Sequence, residues 1–228
     1  MIHLFALLSL LLCGVCYTGF QNSSHFHNTS NRRSLLLLVF GGALLLRLLL
    51  AYTTHGFSND IACFAAWADR IFTLGPGQFY SAEMFTDYPP GFMYVLYLIG
   101  ALRSLLQIPY YSDLHILLLK LPAILCDIAC GFLLYREAVK RLHFSDLQGI
   151  FAASAYLFQP AVILNSSCWG QVDSVYTLMI ILMCLFLMKG NLLPAYAVYG
   201  LGVLLKPQML IFTPVLLTGI WDHVFLQD

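Results

Sequence analysis

Apolar residues in this chain come in runs close to a bilayer's thickness, separated by short polar stretches. The run at 34–52, SLLLLVFGGALLLRLLLAY, carries one charge and predicts a membrane-crossing helix. Its Arg47 lies near enough to one end to snorkel. Further apolar runs lie at 90–106, 114–135, 149–165, 172–188, 192–205 and 208–221. An earlier run, HLFALLSLLLCGVCY at 3–17, is shorter; signal peptide, anchor and additional helix all fit it. Residues 1–33 thus separate as a hydrophobic segment and polar linker, and residues 34–228 form the membrane module.

Composition narrows the class. With 60% hydrophobic and 10% charged residues, the chain reads as an all-α polytopic membrane protein. Eleven basic and 11 acidic residues leave no net charge, so no nucleic-acid surface is expected. Most cysteines lie in apolar runs, where a free thiol behaves as a small hydrophobe; Cys13 and Cys16 have CxxC spacing but no metal partners nearby. There is no DxD triplet and no His cluster, and neither a metal nor a cofactor is expected. Asn22, Asn28 and Asn165 lie in N-x-S/T sequons, a pattern too short to weigh heavily.

Charge placement orients the runs. Arg32 and Arg33 put the start of the first helix in the cytoplasm, so residues 53–88 emerge outside. REAVKR, 136–141, is the densest basic cluster and belongs inside too, which requires that 90–106 or 114–135 does not cross. The better candidate is 90–106: it follows Pro-Pro, carries Arg103 and is short, so it is expected to lie in the interface. The first external loop then runs from about residue 53 to 113 with two such helices, 59–74 and 90–106, and the later runs alternate as crossings.

Under that topology the polar signals gather outside: Asp60, Asp69, TDYPPG at 86–91, WGQVDS at 169–174 and KPQ at 206–208. Each has an ordinary alternative. Tyr88 and Trp169 suit an interfacial belt, Pro89 and Pro90 start a helix, Lys206 snorkels, and Gln171 with Asp173 caps the next helix. Their convergence on one face favours a site at the membrane surface.

The ordered set of an acidic residue and Trp on a helix, then YPP, K-LPAILCD, WGQVDS and KPQ, resembles the polytopic GT-C glycosyltransferases over roughly residues 34–215. The nearest likeness is to bacterial relatives of the GPI-anchor mannosyltransferase II family, with a weaker one to dolichyl-phosphate-glucose-dependent glucosyltransferases. The resemblance implies a GT-C-like transmembrane helix bundle with a long first external loop. It also implies a polyprenyl- or dolichyl-phosphate sugar donor, a glycan or glycolipid acceptor, and an early acidic base, here Asp60, with Trp67 seven residues later. Such a protein would sit in the plasma membrane if bacterial, or the endoplasmic reticulum if eukaryotic. Family members extend further after KPQ, so a C-terminally truncated chain is expected.

The chemistry asks for these residue types. Displacement at an anomeric carbon needs a carboxylate to take the acceptor's proton; Asp60, Phe64 and Trp67 recur at helical spacing, leaving Asp69 on another face. Asp60 also suits a helix start. A departing phosphate wants a cation, for which Lys206 is the candidate, with Gln208 beside it. Trp169, Tyr88 and Gln171 are candidates for a sugar platform and hydroxyl contacts, alongside Asp173. Asp87 is either a second carboxylate near the sugar or a solvated loop acid. Lys120 and Asp127, seven apart on one helix face, form a separate intramembrane pair, for substrate or for holding helices.

A lipid flippase or small-solute transporter is the alternative; it would gather its polar groups at the bilayer midplane. A structural subunit would not need acids, aromatics and a lysine on one side. For the topology, a cysteine replacing Gln107 in a cysteine-free background should react with an impermeant thiol reagent from outside, and one replacing Lys140 should not. The reverse pattern would remove the external loop.

Overall fold

The computed structural model describes residues 10–11, 14–15, 17–19, 32–81 and 84–218; Cys13, Cys16, Asn22 and Asn28 lie outside the described residues. Those described are helical, with no strand among them. The helices are α1 (Arg32–Thr53), α2 (Ser58–Leu74), α3 (Pro90–Leu105), α4 (Asp113–Lys140), α5 (Asp146–Leu157), α6 (Pro160–Ile163), α7 (Asp173–Leu187) and α8 (Leu192–Leu205). A π-helical turn, Leu164–Trp169, follows α6, and a 3-10 segment, Pro207–Phe212, follows α8.

Two helices, α1 and α4, are long and apolar enough to cross a membrane; α5 with Pro160–Trp169 makes a third if that pair, bent by 51°, is one span. The bend has a local cause. Pro160 has no N–H and disfavours helical backbone at Gln159, which takes φ −61° and ψ 119°. The remaining apolar runs form shorter helices than six full crossings require. At 1.5 Å per residue, α7 and α8 extend about 22 Å and 21 Å, against roughly 30 Å of hydrocarbon. A turn at Met188–Asn191, with Gly190 at φ 70°, ends α7, and the break before Pro207 ends α8.

The chain divides into two compact units, one of residues 1–57 and 123–174, the other of residues 58–122 and 175–228. In the first, Ala43, Tyr135, Ile150, Ala153 and Leu157 form the core. Small residues let the helices close: a Cβ on Gly131 would meet Leu157 at 2.6 Å. Inside this unit lies a polar centre. Arg47 and Asp127 are both 0% exposed, with Arg47 Nε 3.2 Å from Asp127 Oδ2. Tyr156 and Ser174 donate to Asp127 Oδ1 at 3.1 and 2.6 Å. Arg47 also donates to the carbonyls of Ala43 and Leu157, the latter at 2.7 Å.

This corrects two expectations. Arg47 does not snorkel: a carboxylate and two carbonyls inside the unit replace the water its guanidinium would otherwise seek. Asp127 takes Arg47 as its ion-pair partner across helices, where the spacing along α4 had suggested Lys120. In the other unit, Met183, Ala195, Met209 and Leu216 form a core, and α2 packs on α3. Gly100 makes that second contact possible, because a Cβ there would meet the Ala68 carbonyl oxygen at 2.5 Å.

Removing one member of a buried pair leaves the other charged and unpartnered. Arg47→Ala or Asp127→Ala alone should therefore cost about 3–5 kcal/mol, while the apolar replacement Arg47→Met with Asp127→Leu should cost less than either. Thermal unfolding in detergent distinguishes them. A double replacement as damaging as the sum of the singles would contradict the pairing.

Candidate functional site

In the second unit, α2 and the segment after it build a compact cluster. Asp60 stands in the first turn of α2, half-buried, where the helix N-terminus favours a carboxylate. One and two turns on, Phe64 and Trp67 are 2% and 3% exposed, so the face that Asp60 begins runs straight into the core. Asp69 lies elsewhere and is engaged: Arg103 of α3 forms an ion pair with it, and Arg103 also stands over the Tyr110 ring. The separation of Asp60 from Asp69 by helical spacing thus matches their surroundings.

The loop between α2 and α3 is pinned by α2 itself. Arg70 donates to the Phe79 carbonyl at 3.0 Å and the Ser81 hydroxyl at 3.2 Å, and the Trp67 indole N–H donates to the Phe85 carbonyl at 3.1 Å. The Tyr80 hydroxyl reaches the Tyr88 carbonyl at 3.0 Å. Pro89 is extended and Pro90 occupies the first turn of α3, so the chain changes direction directly after Tyr88. Trp67 therefore works as a wall and anchor; its ring offers no open platform.

Tyr88 is the hub. Its ring centroid lies 5.6 Å from Phe64, 5.8 Å from Trp67 and 5.3 Å from Phe92. The Lys206 ammonium stands 5.8 Å from the same ring and 5.6 Å from the ring of Tyr176, held between two aromatic faces. Gly91 permits this meeting: a Cβ there would lie 2.6 Å from the Leu204 carbonyl oxygen, so only glycine lets the start of α3 press on the end of α8. YPPG and KPQ, far apart in sequence, are thereby brought together.

Asp87 is exposed beside Tyr88, and the neighbouring Thr86 hydroxyl is buried without a hydrogen-bond partner. Cys63, on the turn after Asp60, reports on both acids. Burial, then the Asp87 carboxylate, then that of Asp60 push its thiol above the ordinary cysteine value. Gln208 is exposed in the 3-10 segment after Lys206.

Trp169, Gln171 and Asp173 belong to the first unit. Trp169 is 51% exposed, its ring 5.3 Å from Phe57, whose N–H donates to the Trp169 carbonyl at 2.8 Å. Gly170, at φ 87°, and Gln171 both donate backbone N–H groups to the Asn165 carbonyl. The Asn165 side-chain amide donates to Asp173 at 2.9 Å inside the unit, so this sequon is not an open loop acceptor. Ser174, the next residue, is the donor to Asp127 described above.

Sequence reasoning missed Tyr176, Arg70 and Asn165. Tyr176 lies two residues after WGQVDS near the start of the run 172–188, and Asn165, weighed only as a sequon, closes the run 149–165; both were visible as polar atoms near run ends. Arg70 gave no signal beyond its charge. The chain matches no family model, no curated protein and no solved structure. What the fold defines is a class: an all-helical chain with two or three helices long and apolar enough to cross a membrane.

Peptide-resolved alkylation checks the acid cluster without any substrate. Removing a carboxylate that disfavours the thiolate lowers the Cys63 pKa, so Asp87→Asn should speed Cys63 alkylation at fixed mildly alkaline pH. An unchanged rate would detach Asp87 from the cluster.

Proposed function

We propose that the chain is an integral-membrane glycosyltransferase, related to the GPI-anchor mannosyltransferase II family, that moves a hexose, mannose foremost, from a polyprenyl-phosphate sugar to an acceptor hydroxyl on the extracytoplasmic side. The observation that carries this reading is the arrangement around Tyr88: Phe64, Trp67 and Phe92 close on its ring, and the Lys206 cation stands over it.

Each part has a step in the reaction. Asp60 accepts the proton of the acceptor hydroxyl as its oxygen attacks the anomeric carbon. The bond from that carbon to the phosphate oxygen breaks, the sugar inverts, and the lipid phosphate leaves with the bonding pair. Lys206 meets that charge, and flanking rings keep water from competing for the ammonium. Asp87, Tyr88 and Gln208 are the sugar-contact candidates in this unit.

A transporter or flippase is the second reading, favoured by the buried Arg47 and Asp127 and by the broken helix at Pro160. Against it, both oxygens of Asp127 accept from protein donors, and Arg47 donates to Asp127 and two carbonyls, which suits a tie between helices.

Membranes containing the chain, incubated with radiolabelled polyprenyl-phosphate mannose or glucose, should transfer one label. Asp60→Asn keeps size and capping ability, and should lower transfer by at least about 10²-fold with expression unchanged. Lys206→Gln should lose transfer and Lys206→Arg keep part of it. Near-normal transfer in both Asp60→Asn and Lys206→Gln would sink the assignment.

A further inference from the structure

The rings that close on Tyr88 offer a ligand no open face, because Phe64, Trp67 and Phe92 are all buried. Open rings do lie close by in the chain, on the loop that leads from α2 to Tyr88. Tyr80 is 49% exposed and Phe85 72%. The proposed reaction uses neither.

Both rings stand on pinned backbone. The Tyr80 hydroxyl donates to the Tyr88 carbonyl at 3.0 Å, and the Tyr80 ring meets buried Phe79 edge-on, with centroids 4.9 Å apart at 85°. Arg70 holds the Phe79 carbonyl, and Trp67 holds that of Phe85. Tyr80 is thus fixed at its hydroxyl and along one edge while half of it stays open to solvent. A ring ordered in advance has little conformational entropy left to lose when a ligand stacks on it. Asp87, directly before Tyr88, is exposed, and the hydroxyl of Thr86 beside it is buried without a hydrogen-bond partner among the described residues. A lipid contact would ask for a continuous apolar patch. Here each open ring has an exposed polar neighbour, Ser81 next to Tyr80 and Asp87 two residues after Phe85.

We propose that Tyr80 and Phe85 are the stacking platform for a hexopyranose ring of the acceptor, with the Asp87 carboxylate accepting from that ring's hydroxyls. The C–H face of a hexopyranose carries partial positive charge and suits the negative face of an aromatic ring, while its hydroxyls need acceptors at the rim. An open ring with a carboxylate nearby supplies both. This inference rests on the transferase reading and adds to it the class of group that is bound: the acceptor hydroxyl belongs to a sugar.

Saturation-transfer-difference NMR of the full chain in a polyoxyethylene detergent, with α-mannotriose and maltotriose as probes, tests the platform without donor or transfer. At least one trisaccharide should receive saturation, most strongly at its ring C–H protons. Phe85→Ala should weaken that binding at least about fivefold, the scale of one aromatic contact, and Asp87→Asn should weaken it too. Phe85→Trp should keep it, since another ring replaces the one removed. The Phe85 ring is exposed, so thermal unfolding of Phe85→Ala should match that of the unaltered chain. Tyr94→Ala removes an exposed ring from α3 and should leave binding as it was. No signal from either trisaccharide, equal affinity in Phe85→Ala, or loss of binding in Tyr94→Ala would overturn the proposal. So would quenching, by brominated phospholipid in nanodiscs, of the emission gained in Phe85→Trp, which would put the ring in lipid. A chain that binds a trisaccharide yet transfers neither radiolabel would uphold the platform and remove the reaction, so the two failures are distinct.

Discussion

The contact on which the first unit depends is the ion pair between Arg47 and Asp127. Taking both charges out of water costs several kcal/mol each, and attraction alone does not recover it. The surrounding bonds supply the remainder: Tyr156 and Ser174 saturate one carboxylate oxygen, and the Leu157 carbonyl receives a guanidinium N–H. That carbonyl is special. The break at Pro160 takes the helical N–H from it, so the arginine that neutralises Asp127 also satisfies the broken helix. Ion pair, bend and the start of α7 at Ser174 are one arrangement.

The second unit is organised differently, by close approach of backbone. Gly100 brings α3 onto α2, and Gly91 brings the start of α3 onto the end of α8. Between those two contacts the loop has little freedom, because Arg70 and Trp67 hold its carbonyls. Tyr88 can serve as a hub only because both neighbours are fixed. The acids and the cation are attached to a frame whose rigidity comes from glycines and prolines.

Much of this was legible in the chain itself. The 3.6-residue period separated Asp60 from Asp69, and the Pro-Pro pair placed the start of α3. The apolar runs located α1, α7 and α8 to within a residue or two. Two kinds of feature were hidden. Partners distant in sequence left no local trace: a window around 34–52 shows Arg47 near a helix end, not a carboxylate 80 residues on. Crossing was read from apolar character at 172–188 and 192–205, where the helices are only 15 and 14 residues long. Pro160, by contrast, stood in plain view inside 149–165, and its effect on the crossing was predictable from the missing N–H.

The distance along the chain between Arg47 and Asp127 has a consequence for biogenesis. At roughly 5–20 residues per second, α1 leaves the ribosome about 4–16 s before the carboxylate that will neutralise its arginine. An α1 that enters lipid in that interval carries a lone guanidinium, whose nearer helix end, Thr53, is six residues or about 9 Å away. The posture suggested by the sequence alone would suit such a newborn helix, before Asp127 is available to pair with Arg47.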